Sequence, residues 1–331
     1  MFSRDVLSID PAAVSAAIEE AIRTEVRGFR RRGAVLGVSG GVDSAVVATL
    51  CARALGPSRV VALLLPERDS SPESTTLGQQ LASHLGVAHL VEDITPVLAA
   101  AGCYERQVEA IRLTCPEYAE GWRSKITLPS VAAGERFNVS QLTIEDPAGK
   151  RMDVRMSAAG YLQLVAATNF KQRVRKMMEY YHADRLNAVV AGTPNRLEYD
   201  QGFFVKQGDA AADLKPIAHL YKTQVYALAE YLGVPETIRV RTPTTDTFSL
   251  PQTQEEFYFA LPYAEMDLCL YGHNHGVAAE DVAEATGLTA EQVARVYRDI
   301  EHKRRATRYL HAGPRLVEAI PEIDVENHVG K

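Results

Sequence analysis

The stretch LGVSGGVDSA, residues 36–45, sets three glycines and two serines around one aspartate directly after the apolar residues Ala34, Val35 and Leu36. A bare turn between a strand and a helix lets backbone N–H groups converge on an anion at the positive end of the helix dipole. Two common phosphate loops do not match it: no lysine follows the glycines as in G-x-x-x-x-G-K-[ST], and there is no G-x-G-x-x-G. What remains is S-G-G-x-D-S over residues 39–44. Ser39 and Ser44 offer hydroxyls, Gly40 and Gly41 permit close backbone approach, and Asp43 can hold a magnesium ion that bridges phosphates. The plainer alternative is that Asp43 and Ser44 cap the helix while the glycines turn the chain.

The flanking pattern supplies the strand and the helix that such a loop needs. Asp10 and Pro11 read as an N-cap and a first-turn proline, and Val14, Ile18, Ile22, Val26 and Phe29 recur at helical spacing up to Gly33. A short buried strand is expected over 34–38, a helix over 44–55 closed by Gly56, a strand over 60–65, a helix over 72–85 stopped by Gly86, and a strand over 87–91. This alternation means an α/β fold, a doubly wound parallel sheet with flanking helices.

Residues 103–157 break the rhythm. Within them 138–144 and 150–156 alternate in polarity around EDPAG, where Pro147 and Gly149 suit a turn, so a hairpin is expected inside an insertion. The insertion reads equally as a decorative surface element or as a substrate lid or dimer contact. Beyond it the pattern resumes with a helix over 158–182, a strand over 188–191, a helix over 222–232 ended by GVP, and two helices with acidic starts over 280–285 and 291–304. No internal repeat or low-complexity linker divides the chain, so residues 1–331 are expected to form one domain.

Composition removes several classes of partner. A net charge of −6 without a basic block speaks against nucleic acid, whose phosphates call for clustered Lys and Arg. No apolar run approaches the roughly 20 residues that span a bilayer, and no leader pattern opens the chain, so no membrane association is expected. Cys51, Cys103, Cys115 and Cys269 show neither a C-x-x-C pair nor zinc spacing, which points to reduced thiols in the cytoplasm. A small-molecule partner is left.

The loop resembles the pyrophosphatase loop of the ATP-pyrophosphatase superfamily, whose members cleave ATP between the α- and β-phosphates. Downstream, NFKQRVRKM (169–177), the run from AGTPNRLEYDQ to YLGVP (191–235), TPTTD (242–246) and EHKRR (301–305) follow in the order found in NAD synthetases. The chain is similar to that family over nearly its whole length apart from 103–157. The resemblance implies an adenine nucleotide alpha-hydrolase-like fold. It also implies ammonia-dependent amidation of nicotinic acid adenine dinucleotide to NAD: a carboxylate oxygen attacks the α-phosphate of ATP, magnesium pyrophosphate leaves, and ammonia displaces AMP.

By the same resemblance, Ser39, Gly40, Gly41, Val42, Asp43, Ser44, Arg175, Thr193, Lys222 and Thr244 bind ATP. Asp43 and Glu198 hold the metal, where charge must be neutralised as pyrophosphate departs; the bland alternative for Glu198 is a solvated surface acid. Lys222 stands at a helix N-terminus, where a cation is unfavourable unless an anion lies nearby, which points to a phosphate or else to a side chain extended into water. Asn169, Lys171, Arg173 and Arg175 alternate along a helix, so Arg173 and Arg175 cannot face the same way. Asn169 and Arg173 are implied for the dinucleotide, and Lys171 reads as the member of a solvated basic face.

In KQGDAAAD, Lys206 and Asp213 are implied to touch the dinucleotide and Asp209 to lie near the ammonia, where a carboxylate can bind ammonium and take its proton. His302 and Lys303 match a terminal pair that closes on substrate. Asp209, Lys222 and Asp43 are the expected catalytic set. Only 38 residues precede Ser39, so free ammonia or a separate glutaminase is the expected nitrogen source. Family habit implies a homodimer, and the insertion leaves open a different carboxylic acid as the acyl substrate.

Overall fold

The computed structural model describes residues 2–127, 141–244, 247–254, 258–259, 261–318 and 320–322. Asp10 caps the first helix, its Oδ1 accepting from Ala12 N at 3.0 Å and Ala13 N at 3.2 Å. This helix, α1 (Pro11–Gly28), buries Ile18, Ile22 and Val26 as the spacing predicts. It ends five residues short of Gly33, because the chain turns through Arg30 at φ +53° and leaves Phe29 exposed.

There follow β1 (Ala34–Gly37), α2 (Val42–Leu55), β2 (Val60–Leu64), α3 (Pro72–Leu85), β3 (Ala88–Val91), α4 (Thr95–Ala100) and α5 (Cys103–Arg112). A second group comprises β4 (Arg123–Thr127), β5 (Gln141–Glu145) and β6 (Arg151–Arg155). The long α6 (Ala158–Leu186) returns the chain to the main sheet as β7 (Val189–Val190). Then come α7 (Arg196–Gln201), α8 (Lys222–Tyr231), α9 (Glu236–Arg239), α10 (Tyr263–Asn274), α11 (Ala279–Thr286) and α12 (Ala290–His311). None of these helices is long and apolar enough to cross a membrane.

The main sheet is parallel with order β3-β2-β1-β7. Alternation along β1 separates two cores: Ala34 and Leu36 pack with α1, α2 and α8, whereas Val35 packs with α4, α5 and α6. Helices therefore cover both faces, the doubly wound arrangement the sequence predicts. The chain leaves β1 toward β2 and returns to its other side as β7. The carboxyl end of β1 is thus the topological switch point, where a ligand crevice opens in folds of this kind.

The hairpin is present, β5 pairing antiparallel with β6 from Gln141↔Arg155 to Glu145↔Arg151. Residues 138–140 of the expected first strand lie outside the described residues. The sequence reading missed a third strand, β4, which pairs with β5 and carries Ile126 into a small core with Leu142, Ile144 and Phe248. Cys103 and Tyr104, at the start of the expected insertion, belong instead to the core beneath the main sheet.

Candidate active site

A cavity of about 720 Å³ opens over the carboxyl ends of β1 and β2. Its floor is the glycine turn. Gly40 adopts φ +74°, and a β-carbon there would lie 2.8 Å from the Ser74 carbonyl oxygen, so this position needs glycine for both conformation and space. Ser39 Oγ accepts from Gly41 N at 3.4 Å, and Ser44 Oγ donates to the Gly41 carbonyl at 3.0 Å. Helix α2 starts at Val42 with Gly41 as its N-cap and no side-chain cap. Asp43 is therefore not a cap, which removes the plainer reading of that residue.

Asp43 instead faces across the site. Its Oδ1 accepts from Asn195 Nδ2 at 3.0 Å, and its Oδ2 is ion-paired with Lys222 Nζ. The anion that answers Lys222 at the start of α8 is thus a carboxylate, and a second one helps: Asp267 accepts from Lys222 N at 3.3 Å and Thr223 N at 2.7 Å. Burial pushes the Asp267 carboxyl up to about 6. Burial alone would lower the Lys222 ammonium, but Asp43 and Glu198 more than offset this and hold it above its usual range. Lys222 is fully buried and stands behind Asp43, outside the cavity lining, which removes the alternative of a side chain extended into water.

Glu198 sits on the first turn of α7 in a capping box: Asn195 Oδ1 accepts from Glu198 N at 3.2 Å, and Glu198 Oε2 from Asn195 N at 3.0 Å. Gln254 Nε2 donates to its Oε1 at 3.2 Å. Burial, then the negative charge of Asp43, push the Glu198 carboxyl up to about 8. The side chain is half-buried in the cavity wall, not a solvated surface acid. Two carboxylates in mutual repulsion beside a phosphate-type loop suit a hard divalent cation completed by phosphate and water oxygens. Among the described residues no cluster of three or more acidic, His or Cys side chains could hold an ion unaided.

Asp209 lines the same cavity, its Oδ1 accepting from Val205 N at 2.7 Å, and burial holds its carboxyl above the usual range. Thr193, Thr244, Asn169, Lys206, His302 and Lys303 also line it. Lys206 Nζ donates to the carbonyls of Tyr309 and Ala312 at 2.7 and 2.8 Å, and Lys303 Nζ to that of Tyr258 at 2.7 Å. Of TPTTD, residues 245–246 lie outside the described residues. Asp213 is exposed and lies away from the cavity lining, its Oδ2 accepting from Val190 N at 2.7 Å.

On α6 both arginines line the cavity but bond to different elements. Arg175 Nε donates to the Leu65 carbonyl at 3.2 Å and its Nη2 to Ser70 Oγ at 3.3 Å, whereas Arg173 is exposed and its Nε donates to the Lys206 carbonyl at 3.3 Å. Lys171 is not on a solvated basic face: it is 1% exposed and bonded to Glu67 and Asp69. Charged partners more than a hundred positions upstream bury it.

The sequence reading gave no role to Asn195, Lys176, Glu179, Arg241 or Gln254. Lys176 and Glu179 form a buried ion pair of 2.6 Å in the cavity wall. Arg241 Nη1 donates to the Ser39 carbonyl at 3.4 Å, tying the loop to the segment before TPTTD. Asn195 and Lys176 fall inside stretches already singled out, so neighbourhood was the available signal. Gln254 offered none.

The family described as NAD synthase matches residues 14–118 and 129–307. The NH(3)-dependent NAD(+) synthetase of Mesorhizobium japonicum is 59% identical over 318 residues, 96% of this chain and 100% of that protein. The enzyme of that description from Rhizobium meliloti is 57% identical over 324 residues, 98% of this chain and 97% of that one. Among solved structures, NMN synthetase from Francisella tularensis aligns with a TM-score of 0.64 at 23% identity, covering 93% of this chain and 100% of that one. The NH3-dependent NAD synthetase from Campylobacter jejuni aligns with a TM-score of 0.61, also at 23% identity, covering 94% and 100%. At such identities these two speak for the fold.

Proposed function

The chain belongs to the NAD synthase family, and we infer from this that it is a ligase converting nicotinic acid adenine dinucleotide to NAD with ATP and ammonia, releasing AMP and pyrophosphate. Its identity to ammonia-dependent NAD synthetases over nearly its whole length carries the reading. Incubation with ATP, magnesium, ammonium and the deamidated dinucleotide, followed by mass spectrometry, should show NAD and AMP in equal amounts. Absence of NAD, or amidation of another carboxylic acid in preference, would overturn it.

The residue roles follow from the chemistry each step needs. The backbone of residues 39–44, with Ser39 and Ser44, receives the triphosphate of ATP; Arg175, Thr193 and Thr244 stand around it in the cavity wall. Asp43 and Glu198 would hold Mg²⁺, which supplies positive charge to the phosphates when bound. Lys222 pairs with Asp43 and orients it from behind, acting through that carboxylate. Asn169, Arg173, Lys206, His302 and Lys303 bind the dinucleotide. Asp209 binds ammonium and takes the proton that must leave before nitrogen can attack the acyl carbon.

A homodimer completes this reading. Leu162, Met177 and Tyr181 stand exposed along α6, apolar groups of the kind a partner helix covers. Asp213, exposed away from this protomer's cavity, would then meet dinucleotide bound to the neighbouring subunit. We take residues 1–331 as one working domain in which the segment 103–157 closes one end of the cavity through Ile126 or meets the partner. Four buried, unpaired thiols support a cytoplasmic setting, where free ammonia or a separate glutaminase supplies nitrogen.

A further inference from the structure

Lys171 shares with Lys222 the place of bulkiest fully buried side chain among the described residues, and nothing in the reaction described above uses it. Its ammonium donates to Glu67 Oε1 at 3.0 Å, to Asp69 Oδ2 at 2.7 Å and to the Thr247 carbonyl at 2.8 Å. Tyr104 OH donates to the second Glu67 oxygen at 2.9 Å. Arg68 lies 3.8 Å over the Tyr104 ring and its Nε bonds Asp69 Oδ1 at 3.2 Å. Two cations and two carboxylates thus balance within one cluster.

Such a cluster is poorly explained by stability alone, since well-packed apolar side chains of similar volume commonly serve as well as a buried ion pair. An apolar side chain could not donate to the Thr247 carbonyl. That bond crosses the cavity wall. On one side stands the connection from β2 to α3, which carries Glu67 and Asp69. On the other stand Thr247 and Phe248, both lining the cavity, with Leu250 N bonded to the Ser124 carbonyl at 3.1 Å and Phe248 packed against Ile126.

The cavity is lined by Asp209, Lys206, His302 and Lys303 and also, beside the carboxyl end of β2 that Lys171 ties to Thr247, by Leu65, Ser70, Arg175, Thr247 and Phe248. With the triphosphate on the glycine turn and the amidated carbon beside Asp209, the stretch of wall between the end of β2 and Phe248 is left for the adenosine of ATP. We propose that Lys171 is a positioning residue for ATP, bolting Thr247 and Phe248 to the β2 end so that the adenosine site has two fixed walls. This rests on the NAD synthetase reading only for which stretch of the cavity wall each substrate takes.

Lys171→Met alone leaves two carboxylates to one arginine and should lower the melting temperature. The paired variant Lys171→Met/Glu67→Gln removes one charge of each sign and leaves Arg68 with Asp69. It should melt near the wild type yet bind ATP about ten-fold more weakly by isothermal titration calorimetry with magnesium present, because a charged hydrogen bond to the wall is gone. Its Michaelis constant for ammonium should stay unchanged. Tyr104→Phe, which loosens the cluster but keeps the Thr247 bond, should bind ATP as the wild type does. The proposal is overturned if the paired variant fails to fold, if it binds ATP with unchanged affinity, or if Tyr104→Phe weakens ATP equally. Wild-type protein that binds ATP but makes no NAD would fail the parent reading and leave this one standing.

Discussion

Lys222, fully buried at the first position of α8, ion-pairs with Asp43 on the first turn of α2, so the expected metal ligand also neutralises an interior charge. Glu198, the other expected ligand, has the opposite relation to its surroundings, because Asp43 repels it. The two carboxylates are therefore unequal under mutation.

Asp43→Asn should abolish adenylation and also destabilise the protein by about 3–5 kcal/mol, because it strands the Lys222 ammonium in the interior. Glu198→Gln should abolish adenylation while leaving the melting temperature equal or raised. Pyrophosphate release and circular dichroism melts, measured on the same preparations, check both. Equal melts for the two variants would show that the Lys222 pair contributes nothing to the fold.

Burial and the charge of Asp43 push the Glu198 carboxyl up to about 8 in the folded, ligand-free protein, against an ordinary 4.5 when unfolded. The folded state holds the extra proton between these values, so this group's stabilising contribution is full below about 4.5 and is lost as the pH rises through about 8. The melting temperature of the ligand-free protein should fall across that window more steeply than that of Glu198→Gln. Added magnesium should stabilise the wild type most at the alkaline end, where the carboxylate is free to bind it. Fluorimetric melts over a pH series read both effects.

Gly40→Ala forces a side chain into φ +74° and toward the Ser74 carbonyl at 2.8 Å, and should cost about 1–3 kcal/mol together with activity. At Gly41 the nearest atom to a new β-carbon is Ser39 Oγ, at 3.3 Å. Gly41→Ala should therefore melt close to the wild type, Ser39 Oγ giving way by a few tenths of an ångström, and raise the Michaelis constant for ATP, since the methyl group stands where the loop receives the phosphates.

Asp209→Asn should spare the first half-reaction and slow the second, because the phosphate loop and the metal carboxylates are untouched. Rapid-quench samples should contain accumulated acyl-adenylate. Equal loss of both half-reactions would contradict the role given to Asp209.

Local signals carried much of the architecture. The apolar run at 34–36, the glycine turn and the stop glycines Gly56 and Gly86 correspond to the parallel strands and helix ends observed. The turn around Pro147 and Gly149 likewise corresponds to the hairpin of β5 and β6. Strand β4 went unread because RSKIT turns only Ser124 and Ile126 inward, too short an alternation to stand out. Misreadings concentrated on charged residues whose environment is decided by distant chain. Lys171 looks like surface until Glu67 and Asp69 are brought beside it, and a Lys222 side chain extended into water stays open as an alternative until Asp43 arrives from α2. Helical phase separates Arg173 and Arg175 by about 200°, yet both reach the one cavity, and it could not say that Asp213 would end outside it.

Helix α6 presents Asn169, Gln172, Arg173, Arg175, Lys176 and Glu179 to the cavity and holds Lys171 in the wall behind it. Because each residue advances the helix by about 100°, one inserted or deleted residue in this stretch would swing every later group away from its partner. Lengthening the exposed turn at residues 119–121, just before β4, would carry no such penalty. Homologous chains should accordingly vary in length there while keeping an unbroken count along α6, and a viable chimaera would have its crossover in that turn.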